Sequence, residues 1–422
     1  VDVPLFAGVV DNESDVSDSM LSTTVVDDRG DETSLLEQLV ATIKPSAQNR
    51  FRTDRRFIAN IVRRFRGRSK AHKEFLLASQ EAKYEISDGA TLRLLGPKTT
   101  LKGDVVNGFE GKMAVVTGGG TGMGRELVRQ LAAAGCHVAM CDVNPENMAE
   151  TEQLALSETT HSVRVTSHIC DVADEVDVIA FRDQLQIRHQ TEHVDLVFNN
   201  AGIAGGGSFV TDEDRMAWEK TFDVCWYGVY YGSRTFLPLL TRSEEGHLVN
   251  TSSINGFWAT VGPETPHTAY CAAKFAVKGF TEALNVDLQL NAPHVTAHVV
   301  MPGHIGTSIS LNSTAAHGGP NLERIRKNLA ERGAEVDQMS DSDLTDLVNL
   351  QGQRFRDEAP TTAAQAAEII LNALRDNRWR ILVGSDAIVI DELVREDPEA
   401  AYEPEFRQRI LDRGHLNFLI GR

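Results

Sequence analysis

Residues able to do chemistry fall in two short stretches. The first is Thr117-Gly118-Gly119-Gly120-Thr121-Gly122-Met123-Gly124. It lies between the apolar run Met113-Ala114-Val115-Val116 and a helical pattern through Leu127, Leu131 and Ala132 that stops at Gly135. Strand, glycine turn and helix in that order suit an anion. The glycines let the backbone turn tightly and approach a pyrophosphate, and the amides and positive end of the helix favour its charge. The next apolar run, His137 to Cys141, ends in Asp142, eighteen residues past Gly124. A carboxylate there accepts both ribose hydroxyls of an adenosine and repels a 2′-phosphate. The second stretch is Tyr270-Cys271-Ala272-Ala273-Lys274. At i and i+4 the phenol and the ammonium share one helix face. The cation is expected to stabilise phenolate and bring the tyrosine down from its usual value near ~10, making it a general acid or base near neutrality.

These groups need a scaffold that presents a turn and a helix at one edge. From Gly111 onward, apolar strand patterns occur at 113–117, 137–141, 163–169, 194–199, 247–251, 294–301 and 380–383. Helical patterns near 122–134, 145–157, 174–189, 212–240, 268–290 and 361–375 fill the gaps. Such alternation predicts an α/β fold with a parallel sheet covered on both faces. Right-handed crossovers make it doubly wound, a Rossmann-type sheet of about seven strands. The stretch 304–360 breaks the rhythm. It is polar, holds Gly318-Gly319-Pro320 and carries two helical patterns, 321–332 and 341–356. An insertion after a strand's carboxyl end lies where open α/β sheets bind ligands. Its apolar residues Ile309, Leu311, Leu322, Ile325, Leu329, Leu344, Leu347 and Leu350 predict either a mobile cover with an apolar inner face or two short helices packed on the domain.

The 422 residues carry a formal charge of -18, and 41% of them are hydrophobic. That suffices for a large core and argues against general nucleic-acid binding. Residues 1–33 are acidic and read as a disordered arm. Residues 34–108 read as a basic helical extension and linker. In it Phe57, Ile58, Ile61, Val62 and Phe65 recur at helical spacing among arginines and lysines. The expectation is a helix packed on the main domain, with membrane-surface contact through 50–73 as the alternative. Residues 109–390 read as the catalytic domain and 391–422 as a C-terminal tail. The five cysteines form no CxxC pair. With no run near ~18 apolar residues and no signal-peptide pattern, a reducing, cytoplasmic location is expected. His267 and His304 flank the chemistry without a carboxylate at ligand spacing, so no metal is expected.

With these stretches in this order, the segment from about Gly111 to Gly384 resembles the short-chain dehydrogenase/reductase family. Thr117 to Gly124 matches its TGxxxGxG turn, and Asp171-Val172 the pair that lines the adenine pocket. Asn199-Asn200-Ala201-Gly202 matches its NNAG segment, and Asn250-Thr251-Ser252-Ser253 the strand that carries a serine. Pro302-Gly303, with Ile305 and Thr307, matches the loop that contacts nicotinamide. The resemblance implies Ser253 as the substrate-binding hydroxyl, with Ser252 as the alternative. It implies Tyr270 as the acid/base, and Lys274 as its partner and a ribose ligand. Cofactor contacts are implied for Gly118, Thr121, Gly122, Met123, Gly124, Asp142, Asp171, Val172, Asn200, Ala201, Gly202, Tyr270, Lys274, Pro302, Gly303, Ile305 and Thr307.

Two places depart from the family. Cys225, in Val224-Cys225-Trp226-Tyr227-Gly228, stands where the family has an asparagine that holds a water of its proton relay. A thiol is a poor donor and acceptor, so the relay is interrupted or rerouted. Ser253 also lies seventeen residues before Tyr270, a longer gap than the family's, and Gly262 to Pro266 reads as an inserted loop. The function expected is NAD-dependent interconversion of a secondary alcohol and a ketone, bulky and apolar, by a homo-oligomer (dimer or tetramer). One rival is an NADPH-dependent 3-oxoacyl or carbonyl reductase, opposed by Asp142 and by the lack of a basic residue before Gly122 in the turn, where Arg125 is the one nearby cation. The other is a low-turnover dinucleotide-binding regulator. Cys225 and the N-terminal extension favour it; Ser253, Tyr270 and Lys274 oppose it.

Overall fold

The computed structural model describes the backbone of 84–87 and 91–94, and residues 108–211, 215–260, 266–331 and 333–415. The acidic arm, the basic helix at 50–73 and most of the expected 262–266 loop lie outside the described residues. The chain divides into two units, Val1–Gly103 and Asp104–Arg422. In the first, strands β1 (Tyr84–Ser87) and β2 (Thr91–Leu94) pair antiparallel.

In the second unit seven parallel strands form one sheet. Its members are β3 (Met113–Thr117), β4 (His137–Asp142), β5 (Val165–Ile169), β6 (Leu196–Asn199), β7 (Gly246–Thr251), β8 (Val295–Pro302) and β11 (Arg380–Val383). Their order is β11-β8-β7-β6-β3-β4-β5, the doubly wound arrangement expected. A separate parallel pair joins β9 (Ile305–Gly306) to β10 (Thr361–Thr362). The helices are α1 (Gly122–Ala133), α2 (Pro145–Glu158), α3 (Glu175–His189), α4 (Arg215–Phe222), α5 (Gly228–Leu240) and α6 (Thr268–Asn291). They continue with α7 (Ile309–Ala316), α8 (Leu322–Glu331), α9 (Asp341–Asp357), α10 (Ala363–Arg375), α11 (Ser385–Glu396) and α12 (Pro404–Asp412).

Strand side chains alternate between faces, and β3 shows the consequence. Ala114 and Val116 join a core with Leu127 and Leu131 of α1, Met148 of α2 and Ile370 of α10. Met113 and Val115 join the opposite core, with Phe181 of α3, Phe236 of α5 and Leu288 of α6. A continuous apolar run is what a strand buried on both faces requires. Phe181 and Phe236 pack edge to face, 5.6 Å between ring centres. Truncating either to alanine would cost about 3–5 kcal/mol.

Three features differ from expectation. The helix read as 212–240 is interrupted at Asp223–Tyr227 by a wider turn, in which the Gly228 amide donates to the Asp223 carbonyl five residues back. Helix α7 occupies part of the insertion outside its two expected helical patterns. Helix α11 runs through position 390, where the tail was expected to begin. Ala387, Ile390 and Leu393 of α11 and Phe406 and Ile410 of α12 are buried with Ile254 and Trp258. The apolar residues of 385–410 recur at helical spacing, so this segment completes the fold instead of trailing from it. No described helix is long and apolar enough to cross a membrane.

Candidate active site

The strand order reverses between β3 and β6, and ligands of open α/β sheets bind at such a reversal, beyond the carboxyl ends of the strands. A cleft of about 520 Å³ opens there. The glycine turn lies beside it and contributes Met123 to its wall. Gly118 and Gly122 take φ of 65° and 56°, the left-handed region that glycine enters without strain. A Cβ on Gly124 would lie 1.9 Å from the Gly118 carbonyl oxygen, so only glycine lets α1 start so close to β3. The hydroxyl of Thr117 accepts from the amides of Asn200 (2.9 Å) and Ala201 (3.1 Å). Asn200 returns a side-chain N–H to the Thr117 carbonyl at 3.1 Å. These bonds tie the ends of β3 and β6 together.

Asp142 ends β4 at the rim of the turn. Its Oδ2 accepts the Gly120 amide at 3.0 Å and its Oδ1 the Asn144 amide at 3.1 Å. The carboxylate is therefore fixed in place. Arg125 is already engaged: its Nη2 donates to the Gly120 carbonyl at 2.7 Å and pairs with Glu150 Oε2 at 2.6 Å. A 2′-phosphate at this rim would meet a fixed negative charge and a cation committed elsewhere. The glycine cradle and the carboxylate fit the pyrophosphate and adenosine of a dinucleotide. Asp171 and Val172 follow β5. The Asp171 carboxylate caps the Ala173 amide at 3.0 Å. Val172 is buried where a Cβ on Gly228 would lie 2.8 Å from it.

The other end of the site is built from side chains. Asn199 donates to Asn250 Oδ1 at 2.9 Å, and Asn250 donates to Thr281 at 3.0 Å. The chain of amides fastens β6 and β7 to α6, which carries Tyr270 and Lys274. Ser253 accepts the Asn255 amide at 3.1 Å and stands near enough to Tyr270 to act on its phenol. Ser252 instead donates to the Lys274 carbonyl at 2.8 Å. Lys274, 2% exposed, donates from Nζ to the Thr251 carbonyl at 2.8 Å and stands 5.4 Å from the centre of the Tyr270 ring.

The electrostatics here correct one expectation. Burial pushes the Tyr270 phenol above its usual range, the Cys225 and Cys271 thiols add to this, and the nearby Ser253 hydroxyl pulls back. Burial also lowers Lys274. Enclosure costs the phenolate more than the ammonium returns to it. Cys225 sits in the wide turn between α4 and α5, where its Sγ donates to the Ile203 carbonyl at 3.1 Å.

Ser253, Tyr270, Lys274, Met123, Asn200, Gly202, Pro302, Gly303, Ile305 and Thr307 all line this one cleft, as do His267 and His304. Gly118, Thr121, Gly122, Gly124, Asp142, Asp171, Val172 and Ala201 are not among the lining residues. The insertion forms the facing wall. Of the eight apolar residues singled out from the sequence, only Ile309 and Ile325 line the cleft. Leu344 is wholly buried, whereas Leu350 is 53% exposed. The insertion reaches the glycine turn, where Asn312 donates to Thr121 Oγ1 at 3.0 Å. Just past α7 it reaches the opposite side, where His317 Nε2 lies 3.1 Å from the Ala204 carbonyl and 3.3 Å from Thr221 Oγ1. His317 escaped sequence reasoning, although Gly205-Gly206-Gly207 signalled a close approach. A Cβ on Gly205 would lie 2.4 Å from His317 Nε2. No group of residues suited to a metal ion occurs among the described residues.

Known proteins resemble this chain in sequence and fold. The family model for short chain dehydrogenase matches residues 112–317. The oxidoreductase named SadH of Mycobacterium tuberculosis is 34% identical over 290 residues, 69% of this chain and 92% of the relative. Epidermal retinol dehydrogenase 2 of Homo sapiens is 33% identical over 213 residues, 50% of this chain and 65% of the relative. A short-chain dehydrogenase/reductase from Burkholderia phymatum, solved in complex with NAD, superposes with a TM-score of 0.57 at 27% identity, covering 70% of this chain and 97% of that one. The chain belongs to the short-chain dehydrogenase/reductase family, the NAD(P)-dependent oxidoreductases that act on CH–OH groups.

Proposed function

We propose that the protein interconverts a bulky, apolar secondary alcohol and its ketone with NAD, through Ser253, Tyr270 and Lys274. One observation carries this reading. Three side chains from β7's end and α6 meet on the cleft wall beside a glycine turn whose acid is fixed and whose cation is paired. Gly118, Thr121, Gly122, Met123 and Gly124 would hold the pyrophosphate side, and Asp142, Asp171 and Val172 the adenosine. Asn200, Ala201, Gly202, Pro302, Gly303, Ile305 and Thr307 would hold the rest of NAD. When bound, NAD supplies the hydride chemistry; the protein supplies orientation and the proton.

Ser253 holds the substrate oxygen. Tyr270 takes the hydroxyl proton in oxidation and returns it in reduction. Lys274, oriented by the Thr251 carbonyl, offsets part of the cost of a buried phenolate. Ile254, Trp258, Ile309, Ile325, Val348 and Phe355 give the cleft an apolar lining, which buries a large apolar substrate better than a small polar one. The retinol dehydrogenase among the relatives acts, by its name, on retinol, an alcohol that is also bulky and apolar but primary. Assembly into a homo-oligomer belongs to the same reading. Measuring kcat/KM with NAD across secondary alcohols from propan-2-ol to cyclic and steroidal members tests it. The value is expected to rise with apolar size, and a preference for the smallest member rejects the apolar pocket.

A further inference from the structure

Asp386 does not line the cleft, yet it sits directly behind a wall that does. It is 1% exposed, in the first turn of α11. Its Oδ2 accepts the backbone N–H of His304 at 2.6 Å. Its Oδ1 has no hydrogen-bond partner among the described residues and lies against two glycines. A Cβ on Gly303 would sit 2.2 Å from Oδ1, and one on Gly384 2.5 Å from it. An unpaired buried carboxylate oxygen is costly, so packing alone is a poor reason for an aspartate here. On the other side of the same turn, β9 is held by β10. The His304 ring packs on α9, with Nε2 2.6 Å from the Phe355 carbonyl and ring centres 4.3 Å apart. One peptide therefore joins α11, the cleft wall at Pro302-Gly303 and the helix that faces it.

We infer that Asp386 is a positioning residue for the nicotinamide end of the site. It holds the Gly303–His304 peptide so that the turn presents a fixed wall to the nicotinamide, and through His304 it sets where α9 meets the cleft. The inference rests on the NAD reading above. ADP-ribose separates the two, because it shares the adenosine and pyrophosphate of NADH but carries no nicotinamide. With the full chain, NADH should bind more tightly than ADP-ribose. In Asp386→Ala, NADH affinity should fall about tenfold or more, the loss expected of one hydrogen bond to a charged group. ADP-ribose affinity should stay within about twofold, as for an independent site. Asp386→Asn keeps the volume and one acceptor and should shift the ratio the same way by a smaller factor, so it carries the test if the alanine variant does not fold. Equal losses for both ligands, or no loss for either, would overturn the assignment and leave the NAD reading standing. So would a wild-type chain that binds ADP-ribose as tightly as NADH. Binding of neither ligand by the wild-type chain would overturn both.

Discussion

The two ends of the site, the glycine turn and the Ser253–Tyr270–Lys274 wall of the cleft, are built by different means. At the glycine turn the protein offers backbone, an open cradle and one carboxylate held by two amides. At the Ser253–Tyr270–Lys274 end it offers side chains from β7 and α6, braced by an amide chain through Asn199 and Asn250 and by helices from the far end of the sequence. The first end works by leaving out Cβ atoms, a property of each residue alone. The second works by assembling partners far apart in the chain, and its chemistry depends on burial that none of them supplies singly.

The largest effect should come from breaking the second end and leaving the first intact. Tyr270→Phe removes the hydroxyl proposed to exchange a proton with substrate, and general acid–base groups contribute about 10²–10⁴-fold. Turnover should fall by that factor while NADH affinity in a fluorescence titration changes little. If most of the activity survives, the proton passes elsewhere and the division of labour between the two ends is wrong.

The converse change acts on the first end. Asp142→Ala should leave kcat at saturating NAD nearly unchanged and narrow the preference for NAD over NADP. Juxtaposed like charges cost several kcal/mol, so the ratio of the two dissociation constants should shrink by about ten- to a hundredfold at low salt. The paired Arg125 gives a 2′-phosphate no new partner, so NADP binding improves only by relief of repulsion. Tighter binding of NADP than NAD by the wild-type chain would refute the reading of this rim.

The same contrast explains what could be read from the chain before folding. Gly118, Gly122 and Gly124 were legible because each answers a local backbone need, and Asp142 because it ends the very next strand. Tyr270 and Lys274 were legible as an i, i+4 pair. The direction of the Tyr270 shift was not, because spacing reports the ammonium and says nothing of the enclosure that outweighs it. Asp386 and His317 were missed because their partners lie 82 and 113 residues away. In the insertion, the apolar pattern of α9 could not distinguish Leu344, which is wholly buried, from Leu350, which is 53% exposed. That difference depends on which face of α9 meets the domain.

The smallest effect is expected at Cys225, and it sharpens the account of the second end. The thiol is fully buried, donates to the Ile203 carbonyl at 3.1 Å, and lies close to Lys274. A Cβ on Gly202 would be 3.7 Å from Sγ and 3.5 Å from the Lys274 Nζ. If the thiol only fills space, Cys225→Ala removes one atom and one weak hydrogen bond. It should cost about 1 kcal/mol of stability and leave kcat within about threefold, since that loss is no larger than a structural perturbation of the same size. If protons passed through the thiol, kcat should fall about 10²-fold or more, as for other acid–base groups, with no matching loss in Tm. The first outcome is expected. Sulfur is a poor donor and acceptor, and its hydrogen bond points at a backbone carbonyl instead of the Tyr270 hydroxyl. Measuring kcat at saturating NAD together with Tm separates the two outcomes. A hundredfold loss without destabilisation would put Cys225 among the groups that move the proton.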